Sequence, residues 1–153
     1  MEEQMIRAKE VYEKLCNALD ARNWKYEKKE EDMVILLSVN GEDIPMPFIL
    51  QVDPKRSLIR FTSPLMFNMP EDKRVDGAIA ACAASYGLAD GSFDYDFSDG
   101  SIAFRMTATF RESDISEKML QYMISCACHV VDRYNDKFLM LSLGKADIDA
   151  FFN

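Results

Sequence analysis

The sequence predicts an α+β domain in which helices lie against one antiparallel sheet, in the order helix, three- or four-strand meander, helix, hairpin, long helix. Three observations carry this. Phe93, Tyr95 and Phe97 alternate with Asp94 and Asp96, and Ile102, Phe104, Met106 and Phe110 recur through the following run, which is the period of two of half-buried strands. Between the runs Asp99-Gly100 suits the two φ > 0 positions of a type I′ turn, which would place Phe97 opposite Ile102, Tyr95 opposite Phe104, Phe93 opposite Met106 and Asp94 opposite Arg105. After Arg111, apolar residues at Ile115, Met119, Leu120, Met123, Ile124, Ala127, Val130, Val131, Tyr134, Phe138 and Leu141 keep a helical period.

Each element has its own signal. Glu2 and Glu3 suit a helix N-terminus, and Met5, Ala8, Val11, Tyr12, Leu15 and Leu19 form one apolar stripe of a first helix. Trp24 and Tyr26 bracket Lys25 in a short strand-like run, and Lys28 to Asp32 is a mixed-sign turn. Met33 to Val39 is a strand buried on much of both sides. Asn40-Gly41 signals a second hairpin, but Pro45 and Pro47 cannot donate to a ladder, so pairing is expected to resume at Phe48 to Asp53. Pro54 to Ser57 turns the chain into a strand at Leu58 to Thr62.

Leu65, Met66, Phe67 and Met69 then crowd a loop between Pro64 and Pro70, with no regular period. So apolar a loop covers something. It either closes the core against the next helix, where methionine fills irregular gaps, or presents an adaptable partner-binding surface. The next helix runs roughly from Asp72 to Tyr86, with Ala78, Ile79, Cys82, Ala83 and Tyr86 as the expected packing face and Gly87 as its stop. The last helix is expected over Ile115 to Leu143, with Asp114 as N-cap, Glu117 at N3 and Gly144 beyond its end. At roughly 43 Å it is longer than one face of a small sheet needs. Its last turns, and the apolar pair Phe151-Phe152, therefore predict a homodimer.

With 153 residues, 48% of them hydrophobic, residues 1–153 are enough for a single domain with its own core, needing neither disulfide nor metal. A net charge of -8 and a pI near 4.7 speak against nucleic acid or an anionic membrane as partner. No charged segment followed by an apolar one opens the chain, and no apolar run approaches the ~20 residues of a membrane span. The expectation is a soluble cytoplasmic protein. The four cysteines, Cys16, Cys82, Cys126 and Cys128, fall in expected helices and follow no disulfide framework.

Catalytic chemistry finds little support. Cys126-Ala127-Cys128-His129 has metal-binding residue types, but side chains two apart on a helix diverge by about 200°, so both sulfurs cannot grip one ion. No glycine-rich phosphate loop, nucleophile elbow or H-E-x-x-H motif is present, and the single histidine cannot be one of a set. Asp94 and Asp96 share a strand face about 7 Å apart, a separation glycosidase acids can have, yet Arg105 opposite Asp94 makes an ion pair the simpler account. No catalytic residue, metal or cofactor is expected.

The run Tyr86-Gly-Leu-Ala-Asp-Gly-Ser-Phe-Asp-Tyr-Asp-Phe-Ser-Asp-Gly-Ser-Ile-Ala-Phe-Arg105 follows one helix and precedes a capped helix carrying Asp132-Arg-Tyr134, with Trp24-Lys-Tyr26 placed after a first helix. This arrangement resembles the YbjN-like family of bacterial proteins across nearly the whole chain. The resemblance implies a type III secretion chaperone-like fold, often dimeric, in a family with a regulatory label and no established enzymatic activity. The expected function is a non-enzymatic protein-binding, chaperone-like or regulatory module that contacts a protein or peptide partner through Leu65, Met66, Phe67 and Met69. The competing reading is a small-molecule sensor with a pocket between sheet and helices. An exposed apolar groove would favour the first, and an enclosed cavity with convergent polar groups the second.

Overall fold

The computed structural model describes residues 1–152, and Asn153 lies outside the described residues. Helix α1 (Glu2–Asp20) leads into a four-strand meander, β1 (Glu27–Lys29), β2 (Val34–Asn40), β3 (Pro45–Asp53) and β4 (Leu58–Pro64). Helix α2 (Arg74–Tyr86), the hairpin β5 (Ser92–Asp96) and β6 (Ser101–Thr109), and helix α3 (Glu117–Ser142) complete the order that the residue pattern predicts. All six strands form one antiparallel sheet, in the order β1-β2-β3-β4-β6-β5.

The helices take one face of the sheet. Ile35, Phe48, Leu50, Val52, Ile59, Phe61, Ile102, Phe104 and Met106 point into that face and are buried, together with Ala8, Leu15 and Leu19 of α1 and Leu120, Met123, Ala127 and Phe138 of α3. Residues of the opposite parity, such as Leu36, Ile49, Thr62 and Arg105, form a row across the outer face, where no helix among the described residues lies over them. Helix α1 is tied to α3 and to the segment that leads into it. Gln121 donates from Nε2 to the Ala18 carbonyl (2.8 Å), Arg7 to the Phe110 carbonyl (2.9 Å) and Lys14 to the Ile115 carbonyl (3.1 Å).

Several expectations need correction. Residue Phe93 pairs with Phe104 and Tyr95 with Ile102, so the register is two residues from that of a two-residue turn. The loop is Phe97 to Gly100, closed by the Gly100 N–H on the Asp96 carbonyl (2.8 Å), and Asp99-Gly100 forms its last half. A shift of two keeps every side chain on its predicted face. Asp94 and Arg105 still meet, now diagonally, with Nε 2.8 Å from the carboxylate.

Pro45 and Pro47 belong to β3, opposite Asn40 and Ser38 of β2. They are tolerated because β3 pairs with β4 only from Ile49 onward. The Pro47 carbonyl accepts from Ser63 Oγ (2.7 Å), so the strand edge that lacks N–H groups points away from the β2 ladder. Trp24 and Tyr26 are in the connection before β1 rather than in a strand, half-buried against the core. The N-cap of α3 is Ser116, whose Oγ accepts from the Met119 N–H (3.0 Å), so Asp114 does not cap it. At the other end Lys145 donates to Met140 and Gly144 to Leu141, with Gly144 at φ 71°, which is a Schellman stop.

Candidate functional site

Helix α2 has two apolar faces, and the chain covers only one of them. The inner face is Gly77, Ala80, Ala81 and Ala84, all buried, and their small size lets the helix lie close to β5. Three hydrogen bonds hold it there. Tyr95 Oη donates to the Arg74 carbonyl (2.8 Å), the Phe93 N–H to Ser85 Oγ (2.8 Å), and Arg74 Nη1 to the Ser98 carbonyl (2.9 Å).

The outer face is Val75, Ala78, Ile79, Cys82 and Tyr86, at the i, i+3, i+4, i+7, i+11 spacing of one helical stripe. Of the five residues expected as the packing face, Ala83 is half-buried against the core and Ala78 is partly covered, but for Ile79, Cys82 and Tyr86 that expectation is overturned. Tyr86 is 93% exposed, Val75 60%, and Cys82 is exposed as well. Helix α2 does stop at Gly87, its C-cap, which has φ -86° and needs no glycine conformation.

A segment after α3 raises the second wall beside this stripe. Past Gly144 the chain turns back, and Asp147 caps a short 3-10 turn at Ile148–Phe151 by accepting from the Asp149 N–H (3.0 Å). The Phe151 ring is buried with its centroid 4.9 Å from that of Phe138 and 6.4 Å from that of Tyr134, and Phe93 packs on the same two rings at 5.1 and 5.5 Å. Phe152 projects beyond them, 58% exposed. On the last turns of α3, expected to serve a partner, Phe138 and Leu141 are fully buried within the chain, while Leu143 is 56% exposed.

Between α2, the Arg133-Tyr134 turn of α3 and Phe151-Phe152 lies an open groove of about 850 Å³. Its walls are mostly hydrocarbon: Ala78, Ile79, Cys82 and Ala83 on one side and the Phe rings on the other. Arg133 is the charged residue of its lining, with the guanidinium 5.3 Å from the Tyr134 ring centroid, and one turn further along α3 the Lys137 ammonium stands 5.4 Å from the same centroid. Ion pairs among the described residues are confined to Lys28–Glu30, Arg56–Asp53 and Arg105–Asp94, so neither cation has a carboxylate within 4.0 Å there.

The loop singled out in the sequence lies elsewhere and divides. Met69 is 1% exposed, in the core, and cannot touch a partner. Leu65 and Phe67 are half-buried against the core, and Met66 alone projects, 74% exposed. The segment is pinned to the hairpin by the Leu65 N–H on the Ile102 carbonyl (2.9 Å), the Met69 N–H on the Gly100 carbonyl (2.8 Å) and Asn68 Nδ2 on the Asp99 carbonyl (3.2 Å). It therefore closes the core at this end of the sheet, as one of its two readings expected.

Residues considered for chemistry have structural partners. Asp94 holds Arg105, and Asp96 accepts from both the amide (2.9 Å) and the hydroxyl (2.6 Å) of Ser98. Burial raises the thiol pKa of Cys16 and Cys126 and pushes Cys128 up to about 11, which disfavours the thiolate. His129 is exposed on α3, and the described residues contain no group of three His, Cys, Asp or Glu side chains placed to hold a metal ion. No helix among them is long and apolar enough to cross a membrane.

Compared with protein-family models the chain matches none, and no curated protein matches it.

Proposed function

We propose that the chain is a non-enzymatic protein-binding module, chaperone-like or regulatory in role, whose contact surface is the outer stripe of α2 and the groove beside it. The observation that carries this reading is the stripe itself: five residues at helical spacing that the fold turns outward while the opposite face of the same helix is packed. Apolar side chains in that arrangement fit the ridge of another helix, which would bury what water now meets. The groove is open rather than enclosed, which favours a polypeptide over a small ligand.

The resemblance to the YbjN-like family is a second support, because it implies a regulatory label without established enzymatic activity. It also implies a homodimer. The surface left for a second copy is the bare outer face of the sheet, where Leu36, Pro47 and Ile49 are only partly covered. From the loop expected to bind a partner, Met66 remains as an accessory contact, with Leu65 and Phe67 behind it.

Capture from the native host tests the reading, with wild type and Ile79→Asp as baits and bound proteins identified by mass spectrometry. Ile79 is 37% exposed, so the far-ultraviolet spectrum and the unfolding midpoint of Ile79→Asp are measured alongside, to establish that the bait is folded. A specific partner lost from Ile79→Asp and retained by Met66→Asp supports the α2 surface. Retention by both variants rejects it.

A further inference from the structure

We infer that the groove takes an acidic amphipathic helix from a partner protein, with the partner's carboxylates meeting Arg133 and Lys137. This rests on the docking reading above and adds to it the charge of the occupant. Two independent features converge on it.

The first is the shape and length of the apolar stripe. From Val75 to Tyr86 it runs about 17 Å along α2, three helical turns, which is the span over which a docked helix presents anchors at i, i+4 and i+7. Ala78, Cys82 and Ala83 are small, so the groove admits the larger side chains of an incoming ridge, and the exposed Tyr86 and Phe152 rings flank it.

The second is the sign of the charge at the rim. The chain as a whole carries -8, so an acidic partner would be repelled from most of its surface. Arg133 lines the groove, however, and Lys137 stands one helical turn further along α3 near the same Tyr134 ring, neither with a carboxylate within 4.0 Å among the described residues. Of the two acids adjacent to them in sequence, Asp132 is turned to the other side of α3, where it accepts from the Glu42 N–H (2.9 Å), and Asp136 forms no ion pair with either cation among the described residues. A helix with glutamates along one edge of its apolar ridge satisfies both cations, whereas a basic ridge meets them unscreened. The same arrangement selects orientation, because only one edge of the docked helix faces α3.

Two synthetic helical peptides test the inference, both stapled, with leucines at i, i+4 and i+7, one carrying glutamates and the other lysines along a single edge of the leucine ridge. Each is titrated against the full chain by calorimetry at low salt, with the perturbed amides mapped by NMR. The glutamate peptide is expected to bind at the groove about tenfold more tightly than the lysine peptide, two rim pairs each contributing a few-fold, and the difference shrinks at 0.5 M salt. The Arg133→Glu, Lys137→Glu double variant reverses the preference. Equal binding of both peptides, with loss of both in Ile79→Asp, overturns the charge inference and leaves the docking reading standing. Failure of both peptides to bind, or binding indifferent to Ile79→Asp, overturns the inference together with the docking surface. A chain that self-associates through Ile79, or a groove that takes decanoate and excludes both peptides, also overturns it.

Discussion

Replacing Gly77 with alanine tests how closely α2 must lie on the sheet, because two effects of opposite sign meet at one atom. In an exposed helix interior the change would stabilise by about 1 kcal/mol through helix propensity. Here the added Cβ would lie 2.6 Å from Met69 Cγ, 2.6 Å from Tyr95 Oη and 3.0 Å from Tyr95 Cε2. Met69 is fully buried and has no free volume to retreat into, and Tyr95 is held by its hydrogen bond to the Arg74 carbonyl. Overpacking of this kind costs typically 1–3 kcal/mol, and forfeiting the tyrosine hydrogen bond about 1 more. Gly77→Ala is therefore destabilising by about 1–3 kcal/mol after the propensity gain. For a domain of this size that lowers Tm by roughly 2–12 °C and lowers the urea midpoint at unchanged m-value. In a Tyr95→Phe background one of the two 2.6 Å contacts is gone, so the penalty should shrink by about 1 kcal/mol, a non-additivity that a double-mutant cycle reads directly. A variant as stable as wild type, or more stable, would refute the close packing of α2 on β5.

Phe138→Ala removes the ring between Phe93 and Phe151 and should cost about 3–5 kcal/mol in urea unfolding. Ser116→Ala deletes the only side-chain cap of α3 and should cost about 1 kcal/mol, whereas Asp114→Ala should change stability by less than half of that. Under limiting iodoacetamide at neutral pH, exposed Cys82 should alkylate first and Cys128, with its thiol pKa raised by burial to about 11, last; mass spectrometry of the peptides reads the order. The Asp99 carboxylate accepts from the Ser101 N–H (2.9 Å), which lowers its pKa, so its stabilising contribution is present above the ordinary carboxylate range and is lost as pH falls through the depressed folded value. The Ser101 amide shift in an NMR titration should follow that same low-pH step. Sedimentation at micromolar concentration should give a mass above 17.5 kDa if the homodimer forms.

Most of the sheet was legible because its signals are local and repeat. Alternation in β5 and β6 marks the strands, and a register error of two residues leaves every face assignment intact, so the core list survives the wrong turn. What sets the register is not local. Gly100 has φ 76°, and a Cβ there would be 2.3 Å from the Met69 carbonyl oxygen, so the loop is shaped by the segment that packs on it. Pro45 and Pro47 were read as a gap for a similar reason: a missing N–H matters only on the side where a neighbour pairs, and sequence does not say which side that is. Strand β1, Glu27-Lys28-Lys29, has no apolar residue and so no burial signal at all; it forms because β2 offers it an edge.

The candidate site was illegible in a more informative way. Helix α2 has alanines around much of its surface, so its apolar periodicity has two solutions, and hydrophobicity alone prefers the one with Ile79, Cys82 and Tyr86. The fold chooses the other, because the Tyr95 ring must pass beneath Gly77 and only a face of glycine and alanine lets it. Choosing the small face for the sheet forces the larger apolar residues outward, where Phe151 and Phe152 arrive from the C-terminal end of the chain to wall them in. The exposed stripe is thus what remains when close packing, rather than maximal burial, decides the orientation of a helix. A chain with no use for that stripe could carry polar residues at positions 75 and 86 at little cost to its own stability, since these side chains are 60% and 93% exposed. That Val75 and Tyr86 occupy them is the physical ground for reading this face as a surface kept for contact.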